Sequence, residues 1–95
     1  MSVNLVINFS VKQENLPAFK DLLGDIKINL PKVPGCQSVQ ILSHVEDPLA
    51  FTLVESWDSK EIHGAHVEKL VSSGQWESIA AHLASAPVSA YYNEL

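Results

Sequence analysis

Four histidines are the side chains of this 95-residue sequence best suited to bind a metal or transfer protons. They are His44, His63, His66 and His82. His63 and His66 lie three residues apart, a spacing that places two side chains next to each other on a helix. No third ligand follows at the spacing of a zinc site. We therefore predict no metal centre.

His66 stands apart because it interrupts an apolar stripe. Ile62, His66 and Leu70 are spaced by four residues, so they share one face of a predicted helix. An imidazole on an inward face is either a core histidine that bonds to a buried group, such as Glu55, or part of a cavity wall. The sequence alone favours the core histidine and leaves the cavity open as an alternative.

A carboxylate and two tryptophans are predicted near this histidine. Glu55 and Trp57 share one face of a strand that ends just before the helix of His66. A carboxylate on an apolar face is costly unless it is paired, so Glu55 is expected to bond to His66 or to a neighbouring backbone group. Trp57 and Trp76 either form the walls of a pocket for a planar ligand or fill the core.

The elements that must position these side chains alternate between strands and helices. Period-two alternation predicts four strands, at residues 3–10, 36–44, 50–57 and 88–93. Apolar spacings of three and four predict three helices, at 16–30, from a cap at Asp58 or Ser59 to about Val71, and at 76–83. Asn15 is the expected cap of the first helix. The order β-α-β-β-α-α-β predicts a single α+β domain over 1–95 with the ferredoxin-like split βαβ arrangement, a four-stranded antiparallel sheet with helices on one face.

Composition and charge exclude several classes of protein. The net charge is −5, and all six basic residues are lysines. Nucleic-acid binding needs a basic face and relies on arginine, so it is not expected. We expect neither a signal peptide nor a transmembrane helix, because no basic leader and no run of 18 apolar residues are present. A single cysteine, Cys36, cannot form an internal disulfide. We expect a cytoplasmic protein with no membrane partner.

The predicted sheet has apolar residues on both faces. Val6, Leu42 and Val54 lie on the face opposite the main apolar side of their strands. A sheet covered by one layer of helices leaves its other face in water unless a partner covers it. Since 46% of the residues are hydrophobic, we predict a homodimer that packs through the open sheet face.

Four short motifs follow one another along the chain. Pro34-Gly35-Cys36 opens the second strand and Glu46-Asp47-Pro48 forms the hairpin turn. Glu55-Ser-Trp57 ends the third strand, and Ala65-His66 follows, with the histidine nine residues after the tryptophan. This ordered set resembles the antibiotic biosynthesis monooxygenase (ABM) domain family of small dimeric α+β barrel proteins, over roughly residues 2–93.

The resemblance implies a ferredoxin-like protomer that pairs its sheet with a second copy to form a dimeric barrel. It also implies a monooxygenase that oxidises a small aromatic phenol or quinol with dioxygen and needs no cofactor. Such a site must bind a planar ring, assist loss of a phenolic proton and exclude water. The resemblance assigns proton transfer to His66, a polar contact to Asn8 and apolar walls to Trp57 and Phe51. Their predicted positions add Glu55 and Trp76 as substrate-binding residues.

The sequence departs from the family pattern after the Ala65-His66 pair, where members usually place a second histidine and an aromatic residue. Here Val67–Gln75 intervenes before Trp76. The same fold also serves haem-degrading monooxygenases, which need an Asn, Trp and His trio, and proteins that only bind a small ligand as a dimer. Both remain alternative functions. Phosphorylated substrates are disfavoured because the chain has no arginine to clamp them.

Overall fold

The computed structural model describes residues 2–95 as a four-stranded antiparallel sheet packed against helices. Met1, the first residue of the predicted domain, lies outside the described residues. The strands are β1 (Val3–Ser10), β2 (Cys36–Ser43), β3 (Ala50–Trp57) and β4 (Val88–Tyr92). The helices are α1 (Leu16–Asn29), α2 (Lys60–Ser72) and α3 (Gln75–Ala80), with 3₁₀ turns at Gln13–Asn15 and Leu30–Lys32. The predicted element order is confirmed, and no helix within residues 2–95 has the length and apolarity needed to cross a bilayer.

The strand order is β2-β3-β1-β4, with every neighbouring pair antiparallel. β1 and β3 are the central strands, and Leu5 of β1 is aligned with Glu55 of β3 on one side and Tyr91 of β4 on the other. This is the ferredoxin-like α+β fold that the sequence predicts. The sheet is open, because β2 and β4 form its two edges.

The helix ends show which of the predicted caps form. The Ser59 hydroxyl accepts a hydrogen bond from the Ile62 amide at 3.1 Å, so Ser59, and not Asp58, caps α2. Asn15 occupies the cap position of α1, but its side chain makes no capping bond. The predicted side-chain cap is wrong because a 3₁₀ turn, closed by the Asn15 amide on the Lys12 carbonyl, leads directly into the helix. α3 ends at Ala80 rather than at residue 83, since Leu83 forms a bridge with Val11.

Phe19 of α1 is the centre of the hydrophobic core and is fully buried. Its ring packs edge-on against Phe9 of β1, with centroids 5.6 Å apart, and lies 5.8 Å from Phe51 of β3. Strand alternation turns Phe9 and Phe51 to the same face of the sheet. The core therefore joins α1 to both central strands and fixes which sheet face the helices cover.

The opposite sheet face is not covered by any element of residues 2–95. Val6 is aligned with Val54 and with Ala90, so apolar residues of three adjacent strands form a row across this face. Leu42, Val88 and Tyr92 lie on the same side, and all three are exposed. The apolar character that the sequence predicts for this face is thus present in the fold.

Replacing Phe19 tests the importance of this core. We expect Phe19→Ala to lower the free energy of unfolding by about 3–5 kcal/mol, because a buried ring is lost and a cavity remains. Urea unfolding at matched protein concentration measures the change. Ile28→Ala, at a position 64% exposed on the same helix, is the matched control and should change the stability by less than about 0.5 kcal/mol. A loss below about 1 kcal/mol for Phe19→Ala would contradict this account.

Candidate functional site

A cavity of about 950 Å³ lies between the helix-covered sheet face and the three helices. Its wall is mostly apolar and includes Leu5, Leu53 and Leu70. The side chains on this wall that can exchange protons or donate hydrogen bonds include Glu55, His63, His66 and Tyr91. A mostly apolar cavity with a few convergent polar groups is the usual form of a small-molecule site.

Glu55 projects from the central strand β3 into this region and is only 6% exposed. Its Oε1 accepts a hydrogen bond of 2.9 Å from the Trp57 indole Nε1–H. Burial raises the pKa of the Glu55 carboxyl above its ordinary value, and the bond from Trp57 offsets only part of that rise. Glu55 is therefore a stronger proton acceptor than an exposed carboxylate.

His63 of α2 is the second buried polar group, at 7% exposure. Its Nδ1 lies 2.5 Å from the Tyr91 hydroxyl of β4, and its Nε2 lies 4.0 Å from Glu55 Oε1. Burial lowers the pKa of His63, and the neighbouring His66 lowers it further. Both pKa shifts favour the uncharged forms of His63 and Glu55, and 4.0 Å is too long for a direct hydrogen bond. The pair is not a strong salt bridge.

His66 is half-buried on the same face of α2, one turn further along. Its ring lies 5.2 Å from that of Trp57, which also contacts His63. Burial lowers the pKa of His66, and the charge of Lys69 adds to this effect. Within residues 2–95, no side chain hydrogen-bonds the His66 ring, so its nitrogens are available to a ligand.

The inward face of α2 differs from the predicted stripe. Ile62 is 40% exposed, so the prediction that it shares an inward face with His66 is wrong. The inward residues are His63, His66, Val67 and Leu70. Ile62 packs instead against the turn at Gly35, where a Cβ would lie 2.3 Å from Ile62 Cγ2 and where φ is +93°. The spacing of three, four and seven from His63 is the sequence signal that identifies the true face.

The remaining predicted residues are divided between the cavity, the core and the other sheet face. Trp76 is half-buried and lines the cavity. Trp57 is fully buried against the two histidine rings, and Phe51 packs in the core beside Phe19. Asn8 lies on the open sheet face, where its Oδ1 accepts a hydrogen bond of 2.6 Å from Thr52. The structure thus brings Glu55, His66 and Trp76 together on the cavity wall and separates Asn8 from them.

Two cavity residues, His63 and Tyr91, were not among the predicted site residues. Tyr91 enters the site because β4 pairs with β1, which aligns Tyr91 with Leu5. Asn8 and Trp57, which would supply the Asn and Trp of the trio that a haem-degrading site needs, lie on opposite faces of the sheet. Among residues 2–95, no three His, Cys, Asp or Glu side chains are grouped so that they could hold a metal ion.

Comparison with solved structures shows that this fold is widely shared. A protein from Nitrosomonas europaea that is named as an antibiotic biosynthesis monooxygenase is 23% identical, with a TM-score of 0.86. The match covers 99% of this chain and 90% of that one. A conserved protein from Methanosarcina mazei Go1 is 18% identical, with a TM-score of 0.86, and the match covers 100% of this chain and 94% of that one. An antibiotic biosynthesis monooxygenase crystal structure is 15% identical, with a TM-score of 0.86 over 98% of each chain. At these identities, the similarity establishes the fold alone.

Sequence comparison identifies the family. No curated protein matches the chain by sequence. Residues 2–70 match the family described as "Antibiotic biosynthesis monooxygenase", and this match covers well over half of the chain. The protein therefore belongs to the antibiotic biosynthesis monooxygenase family.

Proposed function

We propose that this protein is a monooxygenase that oxidises a small phenol or quinol with dioxygen and without a cofactor, with His66 as the proton acceptor. The observation that carries the proposal is the pair of imidazoles with lowered pKa on the wall of a mostly apolar cavity of about 950 Å³. Family membership supports the same reaction class.

His66 suits the role of general base for three reasons. Its lowered pKa keeps the imidazole uncharged at neutral pH, so it is ready to accept a proton. Its nitrogens are not engaged by other side chains of residues 2–95, unlike the Nδ1 of His63. It also lies on the wall that a planar ring would contact, together with Trp76.

The proposed reaction balances without an external reductant. Loss of one hydroxyl proton to His66 leaves an electron-rich anion, which gives one electron to dioxygen. The resulting superoxide and substrate radical combine at a ring carbon to form a peroxide anion, which takes the proton back from His66 and becomes a hydroperoxide. Loss of water then leaves a carbonyl at that carbon, so a quinol and dioxygen give a hydroxyquinone and water. The protein's part is to bind the ring, accept the first proton and exclude bulk water.

We further propose that the protein acts as a homodimer that buries the open sheet face. The row formed by Val6, Val54 and Ala90 crosses the central part of this face. The exposed side chains of Leu42, Val88 and Tyr92 extend the apolar area towards both sheet edges. A second copy presents the same apolar and hydroxyl-bearing surface and is the simplest partner that covers it.

Replacing His66 tests the proposed base. We expect His66→Gln to lower the rate of oxygen uptake with naphthoquinols by about 10²–10⁴-fold, the usual contribution of a positioned base. An oxygen electrode measures the rate above the spontaneous oxidation of each quinol. His44→Gln, in the exposed turn after β2, is the matched control and should keep the wild-type rate. Wild-type protein that does not exceed the spontaneous rate would contradict the proposal and favour a protein that only binds its ligand.

The pH dependence of the same reaction provides a separate test. The base works only when deprotonated, so the rate should fall as pH decreases through the pKa of His66. Burial and Lys69 lower that pKa below the ordinary value of 6.5, so the midpoint of the acid limb should lie below pH 6.5. Initial rates of oxygen uptake between pH 5 and 8, corrected for spontaneous oxidation, measure it. A midpoint above pH 6.5 would argue against His66 as the base.

Replacing Val54 tests the proposed dimer. We expect Val54→Lys to produce a folded monomer, because a buried charge in the middle of the interface costs several kcal/mol. Sedimentation equilibrium should give about twice 10.4 kDa for the wild type and 10.4 kDa for the variant. Ile28→Lys introduces the same charge on the exposed side of α1 and should remain a dimer. A wild-type protein that sediments at 10.4 kDa would refute the dimer.

A further inference from the structure

We propose that His63 Nε2 and the Glu55 carboxylate form a slot for one hydroxyl group of the ligand, and that Tyr91 is a positioning residue that orients His63 for this contact. The inference rests on the proposed function for the kind of ligand involved. The slot is formed by side chains of β3 and α2, with Tyr91 from β4 behind them, and it adds a specificity-determining contact to the proposed reaction.

The spacing of the two groups is that of a bridged pair. His63 Nε2 and Glu55 Oε1 are 4.0 Å apart, beyond direct hydrogen-bond distance. Glu55 Oε1 already accepts from the Trp57 indole, whereas Oε2 of the same carboxylate has no hydrogen-bond partner among residues 2–95. A ligand hydroxyl that accepts from His63 Nε2–H can therefore donate to Glu55 Oε2 and complete the hydrogen bonding of both residues.

The atoms that form the slot are accessible from the cavity. No buried side-chain nitrogen or oxygen of residues 2–95 is left without a hydrogen-bond partner. His63 Nε2 and the Glu55 Oε2 atom have no such partner, so they must retain contact with open space. Both residues line the cavity, and overall only 6% of Glu55 and 7% of His63 are exposed. The open space they reach is therefore the cavity.

Tyr91 determines which ring nitrogen of His63 carries the proton. Burial and the nearby Glu55 and Glu61 raise the pKa of the Tyr91 hydroxyl, so it keeps the proton that it can donate. Because the Glu55 carboxylate lies on the Nε2 side of the His63 ring, it favours a proton on Nε2 and leaves Nδ1 to accept from Tyr91. A neutral imidazole that accepts at Nδ1 carries its proton on Nε2 and presents a donor to the slot. Lys60 Nζ lies 5.3 Å from the centre of the Tyr91 ring and helps to hold this ring in place.

The slot selects a group that both accepts and donates a hydrogen bond. A phenolic hydroxyl accepts from His63 Nε2–H and donates to the Glu55 carboxylate. An ether or carbonyl oxygen can only accept, and an anionic group is repelled by Glu55 in a chain that contains no arginine. The slot acts as an anchor: it holds a hydroxyl that stays protonated and leaves a second hydroxyl of a quinol to His66.

Binding without oxygen tests the slot apart from any turnover. The probes are 1-naphthol and its methyl ether, 1-methoxynaphthalene, titrated under anaerobic conditions and followed by tryptophan fluorescence. We expect the wild type to bind the naphthol about tenfold more tightly, the effect of roughly one net hydrogen bond. Glu55→Gln should reduce this preference to less than about threefold. In this variant the amide oxygen accepts the hydrogen bond from Trp57, and the amide N–H₂ replaces Oε2 and cannot accept a hydrogen bond from the ligand.

Two further variants separate the effect of the slot from a general effect of substitution. Glu46→Gln, in the exposed hairpin turn, is the matched control and should keep the wild-type preference. Tyr91→Phe removes the hydroxyl at a partly exposed position that tolerates the change, and it should also reduce the preference. Nitrogen-15 spectra of labelled histidine should show an unprotonated Nδ1 for His63 in the wild type and a changed signal in Tyr91→Phe.

Several results would overturn the slot. They are equal binding of the two probes by the wild type, binding of neither probe, a preference unchanged in Glu55→Gln, or a protonated Nδ1 on neutral His63. Oxygen uptake separates this inference from the proposed function. A naphthol preference without oxygen uptake supports the slot and refutes the monooxygenase, whereas oxygen uptake without a preference refutes the slot alone.

Discussion

The burial of one carboxylate on the central strand of the sheet is the constraint on which the site depends. Glu55 lies between the core residue Leu53 and the fully buried Trp57 on the same face of β3. A carboxylate in this position is costly unless hydrogen-bond donors surround it. The Trp57 indole supplies one donor, and His63 lies close enough to supply a second through a bridging oxygen. The partners of Glu55 therefore come from β3 itself and from α2, while Tyr91 of β4 holds the second partner.

This arrangement creates polarity in the cavity without fixed positive charge. The pKa of Glu55 is raised, and those of His63 and His66 are lowered, in each case mainly by burial. The lowered pKa values favour uncharged imidazoles, so the cavity offers no imidazolium to a phosphate or carboxylate. The raised pKa makes the Glu55 carboxylate a stronger hydrogen-bond acceptor for a hydroxyl group. The absence of arginine from the chain points in the same direction. Composition and site geometry thus both support the class of ligand that we propose.

The fold could be predicted from the sequence because the strands show a period of two and the helices show apolar spacings of three and four. The site could be predicted only in part, for physical reasons that particular residues illustrate. Ile62 and His63 are adjacent in sequence and therefore point about 100° apart around a helix of 3.6 residues per turn. His66 and Leu70 belong both to the predicted stripe that begins at Ile62 and to the observed inward face that begins at His63, so the spacing alone does not separate the two. Predicting Tyr91 as a site residue would have required the strand order, because it is the pairing of β4 with β1 that brings Tyr91 to His63.

The cavity and the open face are linked because they occupy opposite sides of the same two central strands. Leu5 of β1 and Glu55 of β3 face the cavity, whereas Val6 and Val54 face outwards. Side chains alternate with a period of two, so a shift of one residue in the register of β1 would exchange the two faces completely. Within residues 2–95, the one irregularity between paired strands lies at Cys36 and Ser38 of the edge strand β2, where it leaves the β1–β3 alternation intact. The β1–β3 register thus holds both the polar groups that would meet a ligand and the apolar row that would meet a second copy, and neither surface can be repositioned without disturbing the other.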